Sequence, residues 1–441
     1  MKRLLSLLLC AVLALFCATT AQAAGVSITL TASEYALHYA FDAGAQDPFV
    51  ILEYTTPAEK GWMMLYSEDG HFEGDVSLAY SGAGGKTSVA LTSARTTGSI
   101  GKASTTLPKA ADYQKPTGKS NAKVTDFVLT ETPEGFHYAF NAIGTDYMLL
   151  YWRSKEQTVT QPVYPDENGH YEGDVISDLT FARTQFTVQV KSGAGSMKKE
   201  ATVRKGYQAP EAPQRQEGRL SGVTVCIDAG HQENGRFVNE PIGPGLSGST
   251  SGKGGMAQGT KTNRRESIVC LEIGMLLRDE LLRQGANVVM TREDQTTFHT
   301  NIERCEIAEA GGAQIMLRLH CNNSSNRSKR GIQVYGPLNS DYAKAVADAD
   351  TYREMGQKLL DAMKTRVGMT LANSTGMVRL NDNYVGNNWA KMMCFLVEMG
   401  YLSNPAEEYL LVTPVYQQWL AEGMADGVYE IAVARGWVQA Q

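Results

Sequence analysis

The stretch that decides the fold of the C-terminal half is Ile-Met-Leu-Arg-Leu-His-Cys-Asn, residues 315–322. A short, largely apolar run of this kind is typical of a strand buried within an α/β sheet. This run closes on His320 and Asn322. A second run, Val-Thr-Val-Cys-Ile-Asp-Ala-Gly-His at residues 223–231, has the same design and places His231 just past the end of its strand. We therefore expect two buried strands, each with a histidine at its carboxyl end.

Strand-like and helix-like runs alternate from Gly222 onward. Strands are expected at 223–227, 287–291, 314–319, 331–335 and 394–397, and helices at 266–284, 302–310, 352–365 and 414–434. Such alternation predicts an α/β catalytic domain over residues 220–441, built as a mixed sheet flanked by helices.

Four polar groups interrupt this pattern at places that converge. His231, His320 and Glu398 come at the ends of strands, where ligands bind in open α/β sheets, and Glu266 opens the long helix after a Gly- and Ser-rich stretch. Two neutral imidazoles and one carboxylate are a catalytic zinc set, in which a fourth position stays open for water. A further carboxylate can act as general base and then protonate a leaving amine. Each residue alone has an ordinary structural explanation, so the hypothesis depends on their convergence.

The segments that carry these groups occur in a specific order. They are Ile-Asp-Ala-Gly-His-Gln at 227–232, Arg-Glu at 265–266, Val-Val-Met-Thr-Arg at 288–292, Leu-His-Cys-Asn at 319–322 and Leu-Val-Glu-Met-Gly-Tyr-Leu-Ser-Asn-Pro at 396–405. In this order they resemble the zinc-dependent N-acetylmuramoyl-L-alanine amidases of the amidase-3 type, over about residues 221–438. Those peptidoglycan hydrolases cut the amide between N-acetylmuramic acid and L-alanine of the stem peptide.

The resemblance implies one zinc ion per chain and assigns its ligands to His231, Glu266 and His320. It makes Glu398 the catalytic glutamate. Asn322 and Arg304 match residues that commonly accompany the ligands, so a supporting role beside the site is expected for both.

The sequence departs from the family pattern in several places. Ala229 stands where a proline is common, and the loop Glu233–Arg265 is long and Gly-rich, which favours a flap on the substrate side. Arg318 stands where a serine is usual. Cys321 follows a ligand directly, but neighbours along a strand point to opposite faces, so we do not expect it to bind the metal.

Two other functional classes fit parts of the sequence. One is a catalytically inactive cell-wall-binding protein, and the other is a metallopeptidase that acts on stem peptides. Because all four matched residues are present, the inactive class is disfavoured, and the segment around Glu398 does not favour the peptidase.

An internal repeat organises the first half of the chain. His-Tyr-Ala-Phe at 38–41 recurs at 137–140, and Gly-His-Phe-Glu-Gly-Asp-Val at 70–76 recurs as Gly-His-Tyr-Glu-Gly-Asp-Val at 169–175. Both matches have the same offset, which indicates two copies of one module. Short alternating runs separated by turns predict small all-β repeat modules, as antiparallel sandwiches. The boundaries expected are 24–106 and 125–205 for the modules and 107–124 and 206–219 for polar linkers.

The repeated side chains allow more than one function. The aromatic residues could stack on the sugar rings of wall glycans or could fill two sandwich cores; they are Tyr39, Tyr54, Trp62, Tyr66, Tyr138, Tyr151, Trp152 and Tyr171. The repeated histidines could bind metal or could be pairs inherited through duplication; they are His38, His71, His137 and His170. For both sets the second explanation is favoured, and wall targeting by the tandem modules remains a hypothesis.

The N-terminus has the pattern of a secretory signal peptide. Lys2 and Arg3 precede an apolar run over 4–18, and Ala21-Gln22-Ala23 is a cleavage pattern, so residues 1–23 are expected to be removed. A membrane anchor is the alternative, but the run is short for a bilayer span. The expected location is outside the cell or at the cell wall.

Composition limits the remaining classes. Of 441 residues, 43% are hydrophobic, which excludes a wholly disordered chain. The formal net charge of −6 makes nucleic acid an unexpected partner. Five of the seven cysteines follow the signal peptide, and an odd number within apolar runs predicts buried free thiols instead of a disulfide framework.

Overall fold

The structure is a computed structural model with two compact units, 1–205 and 206–441. It describes residues 19–21, 25–45, 47–78, 80–94, 96, 98–111, 113, 123–132, 135–143, 148–153, 157–176, 185–191, 197–204, 210–232, 238–250, 255–262, 264–368 and 378–440. The expected signal peptide, apart from 19–21, lies outside the described residues, as does most of the expected linker 107–124.

The described part of the N-terminal unit consists of strands. They are β1 (Thr19–Ala21), β2 (Ile28–Ala32), β3 (Ala36–Asp42), β4 (Phe49–Thr55), β5 (Glu59–Tyr66), β6 (His71–Ser77), β7 (Gly85–Ser93), β8 (Ser99–Leu107), β9 (Lys123–Thr132), β10 (Gly135–Ile143), β11 (Met148–Arg153), β12 (Gln157–Val163), β13 (His170–Ile176), β14 (Gln185–Lys191) and β15 (Met197–Arg204). Every pairing among them is antiparallel, which confirms the all-β prediction.

The same strand order occurs twice in this unit. A small sheet contains β2-β3-β6 in the first copy and β9-β10-β13 in the second. The short strand β1 adds to the first small sheet beside β2, and the remaining strands form one eight-stranded sheet in the order β15-β14-β11-β12-β5-β4-β7-β8. Because β5 pairs with β12, the two copies share a continuous sheet.

Each copy has its own hydrophobic core, and most of the repeated aromatic residues lie in the two cores. The buried ones are Tyr39, Tyr54, Tyr138, Trp152 and Tyr171. Three lie outside the buried cores: Tyr66 is 37% exposed, and Trp62 and Tyr151 are half-buried. The core explanation therefore accounts for most of the repeated aromatic residues.

The repeated histidines lie in rows that alternate with acidic side chains. His38 contacts Glu73 at 3.3 Å and Asp75 at 3.1 Å, and His71 contacts Asp42 at 2.7 Å and Glu73 at 3.7 Å. The second copy repeats the row around Glu172. In the part of the chain that the structure describes, neither row brings three ligand atoms close enough together to hold one ion.

The C-terminal unit alternates strands and helices. The strands are β16 (Thr224–Ala229), β17 (Glu240–Pro241), β18 (Ser249–Thr250), β19 (Asn287–Met290), β20 (Ile315–Asn322), β21 (Gln333–Gly336), β22 (Val378–Leu380) and β23 (Met393–Tyr401). The helices are α1 (Glu266–Arg283), α2 (Asn301–Ala310), α3 (Asp341–Val346), α4 (Ala349–Val367), α5 (Val385–Trp389), α6 (Pro405–Leu411) and α7 (Pro414–Ala434).

Six of these strands form a mixed sheet in the order β19-β16-β20-β23-β21-β22. The first four are parallel, whereas β21 is antiparallel to β23. The predicted α/β architecture is thus confirmed. The carboxyl ends of β16, β20 and β23 meet at one edge of the sheet, which is where the site lies.

Helices cover both faces of this sheet. Gly274 of α1 lies against Ile227 of β16, while Cys305 of α2 shares a core with Cys226. Adjacent strand residues point to opposite faces, so α1 and α2 lie on opposite sides. All five described cysteines are buried and free, as predicted. No helix among the described residues is long and apolar enough to cross a membrane.

Candidate metal centre and active-site cleft

The sheet brings the four predicted site residues to one cleft. His320 of β20 and Glu398 of β23 are direct neighbours in the parallel register. His231 follows β16 by two residues, and Glu266 is the first residue of α1. All four line a cavity of about 710 Å³.

The carboxylate of Glu266 lies between the two histidines. Its Oε1 is 3.1 Å from His231 Nε2 and 3.0 Å from His320 Nδ1. The three side chains offer ligand atoms that all lie within 4.8 Å of one another, so the group could hold a metal ion.

Backbone amides hold Glu266 in this position. The amide of Ala257 donates to Oε2 at 2.7 Å, and the amide of Cys321 donates to Oε1 at 3.0 Å. Burial alone would raise the pKa of Glu266, but hydrogen bonds from the two histidines hold it well below its usual value. Burial lowers the pKa of His320. Both groups therefore favour the deprotonated forms that metal ligands require.

The backbone before His231 is shaped for a close approach. A Cβ on Gly230 would lie 2.6 Å from Cε1 of His320 and 2.4 Å from the carbonyl oxygen of Leu319, so only glycine fits. His231 itself has a φ of 57°, in the left-handed region that few residues other than glycine adopt. Strain of this kind persists only where surrounding contacts fix it.

Two arginines supply those contacts. Arg304, for which a supporting role is predicted, donates to the carbonyl oxygen of His231 at 3.2 Å. Arg292 donates to the carbonyl oxygens of Ala229 at 2.8 Å and Gly230 at 2.9 Å. The chain that leads to His231 is thus held at three successive carbonyls.

A buried ionic cluster lies beneath this segment. Asp228 accepts hydrogen bonds from Arg304, from Arg318 at 2.9 Å and from Thr291 at 2.8 Å. Burial opposes ionisation of Asp228, but the two guanidinium groups hold its pKa far below the usual range. The charges of this cluster are therefore fixed in place. We call Asp228, Arg304 and Arg318 the floor of the cleft.

Glu398 has a different environment from Glu266. Its Oε2 is buried, and no described residue gives it a hydrogen bond. Burial, together with the nearby charge of Glu266, raises the pKa of Glu398 well above the usual value. In this cleft the carboxyl group of Glu266 therefore stays ionised, whereas that of Glu398 retains its proton more readily.

The predicted residues differ in how closely they approach the metal group. Asn322 lines the cleft, but its side-chain amide donates to Gln333 Oε1 at 3.2 Å. Cys321 is buried beside Cys270, so its thiol does not join the ligands.

The sequence analysis did not predict the contact from the amide of Ala257, because a backbone amide cannot be recognised from a pattern of side chains. It also gave no role to Arg318, although that residue was visible as a departure.

Comparison with known proteins agrees with this geometry. A family model described as N-acetylmuramoyl-L-alanine amidase matches residues 225–430. The germination-specific N-acetylmuramoyl-L-alanine amidase of Bacillus subtilis (strain 168) is 26% identical over 231 residues, which are 49% of this chain and 83% of that protein. The probable cell wall amidase LytH of Staphylococcus aureus is 27% identical over 218 residues, which are 48% of this chain and 60% of that protein.

Solved structures of amidases also align with about half of the chain. An N-acetylmuramoyl-L-alanine amidase from Clostridium difficile 630 aligns at 24% identity and a TM-score of 0.39, over 49% of this chain and 100% of that one. The enzyme from Mycobacterium smegmatis aligns at 17% identity and a TM-score of 0.44, over 49% of this chain and 99% of that one. On the family match and the named relatives, residues 225–430 belong to the N-acetylmuramoyl-L-alanine amidase family.

Proposed function

We propose that this protein hydrolyses the amide between N-acetylmuramic acid and L-alanine of the peptidoglycan stem peptide, with zinc as its metal. The observation that carries the proposal is the convergence of His231, Glu266 and His320 on one point of a cleft that also contains the half-buried Glu398. The family match supports the choice of this bond.

The residues present fit a zinc ion. Two imidazole nitrogens lie within 3.1 Å of the same carboxylate oxygen, and this is a donor set that catalytic zinc takes with one position left open. His231, Glu266 and His320 would hold the ion. Zinc in such a site supplies Lewis-acid chemistry that makes water nucleophilic near neutral pH.

Glu398 is the proposed proton carrier. It accepts a proton from the attacking water and passes it to the nitrogen of the leaving alanine, since amide cleavage requires a protonated amine to depart. Its raised pKa suits both steps, because a carboxyl group with an ordinary pKa would be a weak base and would not hold the proton for the leaving group.

The remaining proposals concern where the protein acts. The N-terminal pattern supports secretion, and residues 26–205 are proposed to hold the enzyme at the wall. The two copies keep a similar exposed row of histidines and carboxylates, centred on Glu73 and Glu172, in which Asn141 of the second copy takes the place of Asp42. Because these exposed polar side chains are retained in both copies, they support a role for the modules in binding and not only as a spacer.

The test is digestion of purified peptidoglycan by the full chain, with mass spectrometry of the products. We expect new alanine N-termini on released stem peptides, while the glycan strands stay intact. Shortened peptides that remain attached to the glycan would indicate a peptidase. No release from several wall types would indicate an inactive domain. The Glu398→Gln variant serves as the negative control.

A further inference from the structure

Arg318 lies in the cleft, and the proposed chemistry does not use it. It precedes His320 by two residues in β20, so both side chains leave the same face of the strand. Both line the same cavity. Only 5% of the Arg318 side chain is exposed, so the guanidinium group is part of the floor and not of the rim.

Neighbouring groups fix the guanidinium in one orientation. Nε donates to Asp228 Oδ2 at 2.9 Å, and Nη2 donates to Asn301 Oδ1 at 2.6 Å. Gly386 lies so close that a Cβ there would be 2.2 Å from Cζ of Arg318. No hydrogen-bond acceptor for Nη1 is found among the described residues.

Few carboxylates reach Arg318. Among the described residues, Asp228 is the one carboxylate in direct contact with Arg318, and it is shared with Arg304. Glu240 is the next carboxylate, and it reaches Arg318 only through Asn301, which donates to it at 2.7 Å.

The Arg318 guanidinium is thus held by one carboxylate and one amide oxygen, and its Nη1 keeps its capacity to donate to a further acceptor. A buried donor without an acceptor costs free energy, which a bound anion would offset. The floor is accordingly suited to an anionic part of the substrate.

We propose that Arg318 binds a free carboxylate of the stem peptide, so that the cleft prefers peptides with free carboxyl groups over amidated ones. This inference rests on the proposed function. In that substrate the lactyl carboxyl group of the sugar is already part of the amide to be cut, so free carboxylates lie on the peptide side. A planar guanidinium matches a carboxylate in geometry as well as charge.

The experiment compares two soluble substrates, N-acetylmuramoyl-L-alanyl-D-glutamate with free carboxyl groups and its diamide. We expect kcat/KM of the full-length enzyme to favour the free acid by about tenfold or more, as a charged hydrogen bond would give. In Arg318→Ser the ratio should fall to about one. Arg318→Lys keeps the charge without the planar fork and should give an intermediate ratio. Arg353→Ser, at an exposed arginine of α4, should leave the ratio as in the wild type.

The outcomes distinguish a failure of this inference from a failure of the proposed function. If the wild type cleaves neither substrate, the proposed function fails. If it cleaves both equally well, or if Arg318→Ser keeps the preference, this inference is wrong and the proposed function stands. If Arg318 had only a structural role, its replacement would lower kcat/KM for both substrates together and leave their ratio unchanged. If Arg318→Ser does not fold, the ratio of kcat/KM for the free acid to that for the diamide is measured in Arg318→Lys instead, and a ratio equal to that of the wild type would refute the inference.

Discussion

The backbone of Gly230 and His231 positions the imidazole rings of His231 and His320 beside Glu266. The first residue must lack a side chain, because the imidazole of His320 occupies the space a Cβ would fill. The second adopts a left-handed backbone, which aims its ring at Glu266. Sequence reasoning identified His231 as a ligand but could not show why glycine precedes it, since the requirement comes from a strand 90 residues away in the chain.

The substitution Gly230→Ala tests this packing. We expect zinc affinity to fall by at least about tenfold, as when a residue that orients a ligand is lost, because His320 must move. Competition with a chromogenic chelator measures the affinity. Gly255→Ala is the matched control, because a Cβ there meets no atom within 4 Å. Equal affinities in the two variants would show that the close approach is unimportant.

Among the elements, the long helices were predictable and the short ones were not. The helix expected at 414–434 is α7 (Pro414–Ala434), and that expected at 266–284 is α1 (Glu266–Arg283). These helices have enough apolar residues at helical spacing to be recognised locally. The shorter α5 depends on distant contacts, since Asn387 and Asn388 bond to the carbonyl oxygens of Tyr335 and Ile242.

The last site strand is longer than predicted for a similar reason. A strand at 394–397 was expected, but β23 runs from Met393 to Tyr401, so Glu398 lies within it and not at its end. In the extension, Glu398 is opposite Gln333 of the antiparallel β21, and Tyr401 is opposite Asn322 of β20. Pairing with an antiparallel neighbour is a tertiary effect, which a local apolar run does not reveal.

Glu407 of α6 joins the segment before β21 to the end of β23 and should make stability depend on pH. It accepts hydrogen bonds from the amides of Gly331 at 2.7 Å and Tyr401 at 2.8 Å. Burial raises the pKa of Glu407 to about 7. Its contribution to stability is therefore present below the unfolded pKa, near 4.5, and is lost as the pH rises through 7.

The expected size is about 2–4 kcal/mol between pH 4 and pH 8. Denaturant unfolding at a series of pH values measures it. Because other groups also titrate, the informative quantity is the difference in slope between the wild type and Glu407→Gln, which lacks this ionisation. Parallel pH curves for the two proteins would refute the assignment.

At the scale of the molecule, the repeat was predictable and the joining of its copies was not. A constant offset revealed two modules, but nothing in the sequence indicated that β5 and β12 would pair and make one sheet of the two copies. Removing a single copy would therefore expose a sheet edge and confuse loss of binding with loss of folding. Both copies have to be removed together.

Deletion of residues 26–205 tests the proposed wall targeting. Cleavage of small soluble muropeptides should be nearly unchanged, since the predicted catalytic residues all lie in residues 206–441. Binding to intact sacculi should fall, because two weak sites on one unit raise the effective concentration at the wall. Co-sedimentation with purified sacculi measures the binding. Equal sedimentation with and without the repeats would favour a spacer role.

The central claim is that His231, Glu266 and His320 hold one zinc ion and that Glu398 moves the proton. Its most direct test measures zinc content and amidase turnover together in two full-length variants, His320→Ala and Glu398→Gln. The account predicts that His320→Ala loses nearly all zinc and all turnover while remaining folded. It predicts that Glu398→Gln keeps one zinc per chain while turnover falls by at least about 10²-fold. Full zinc occupancy in His320→Ala, or wild-type turnover in Glu398→Gln, would contradict it.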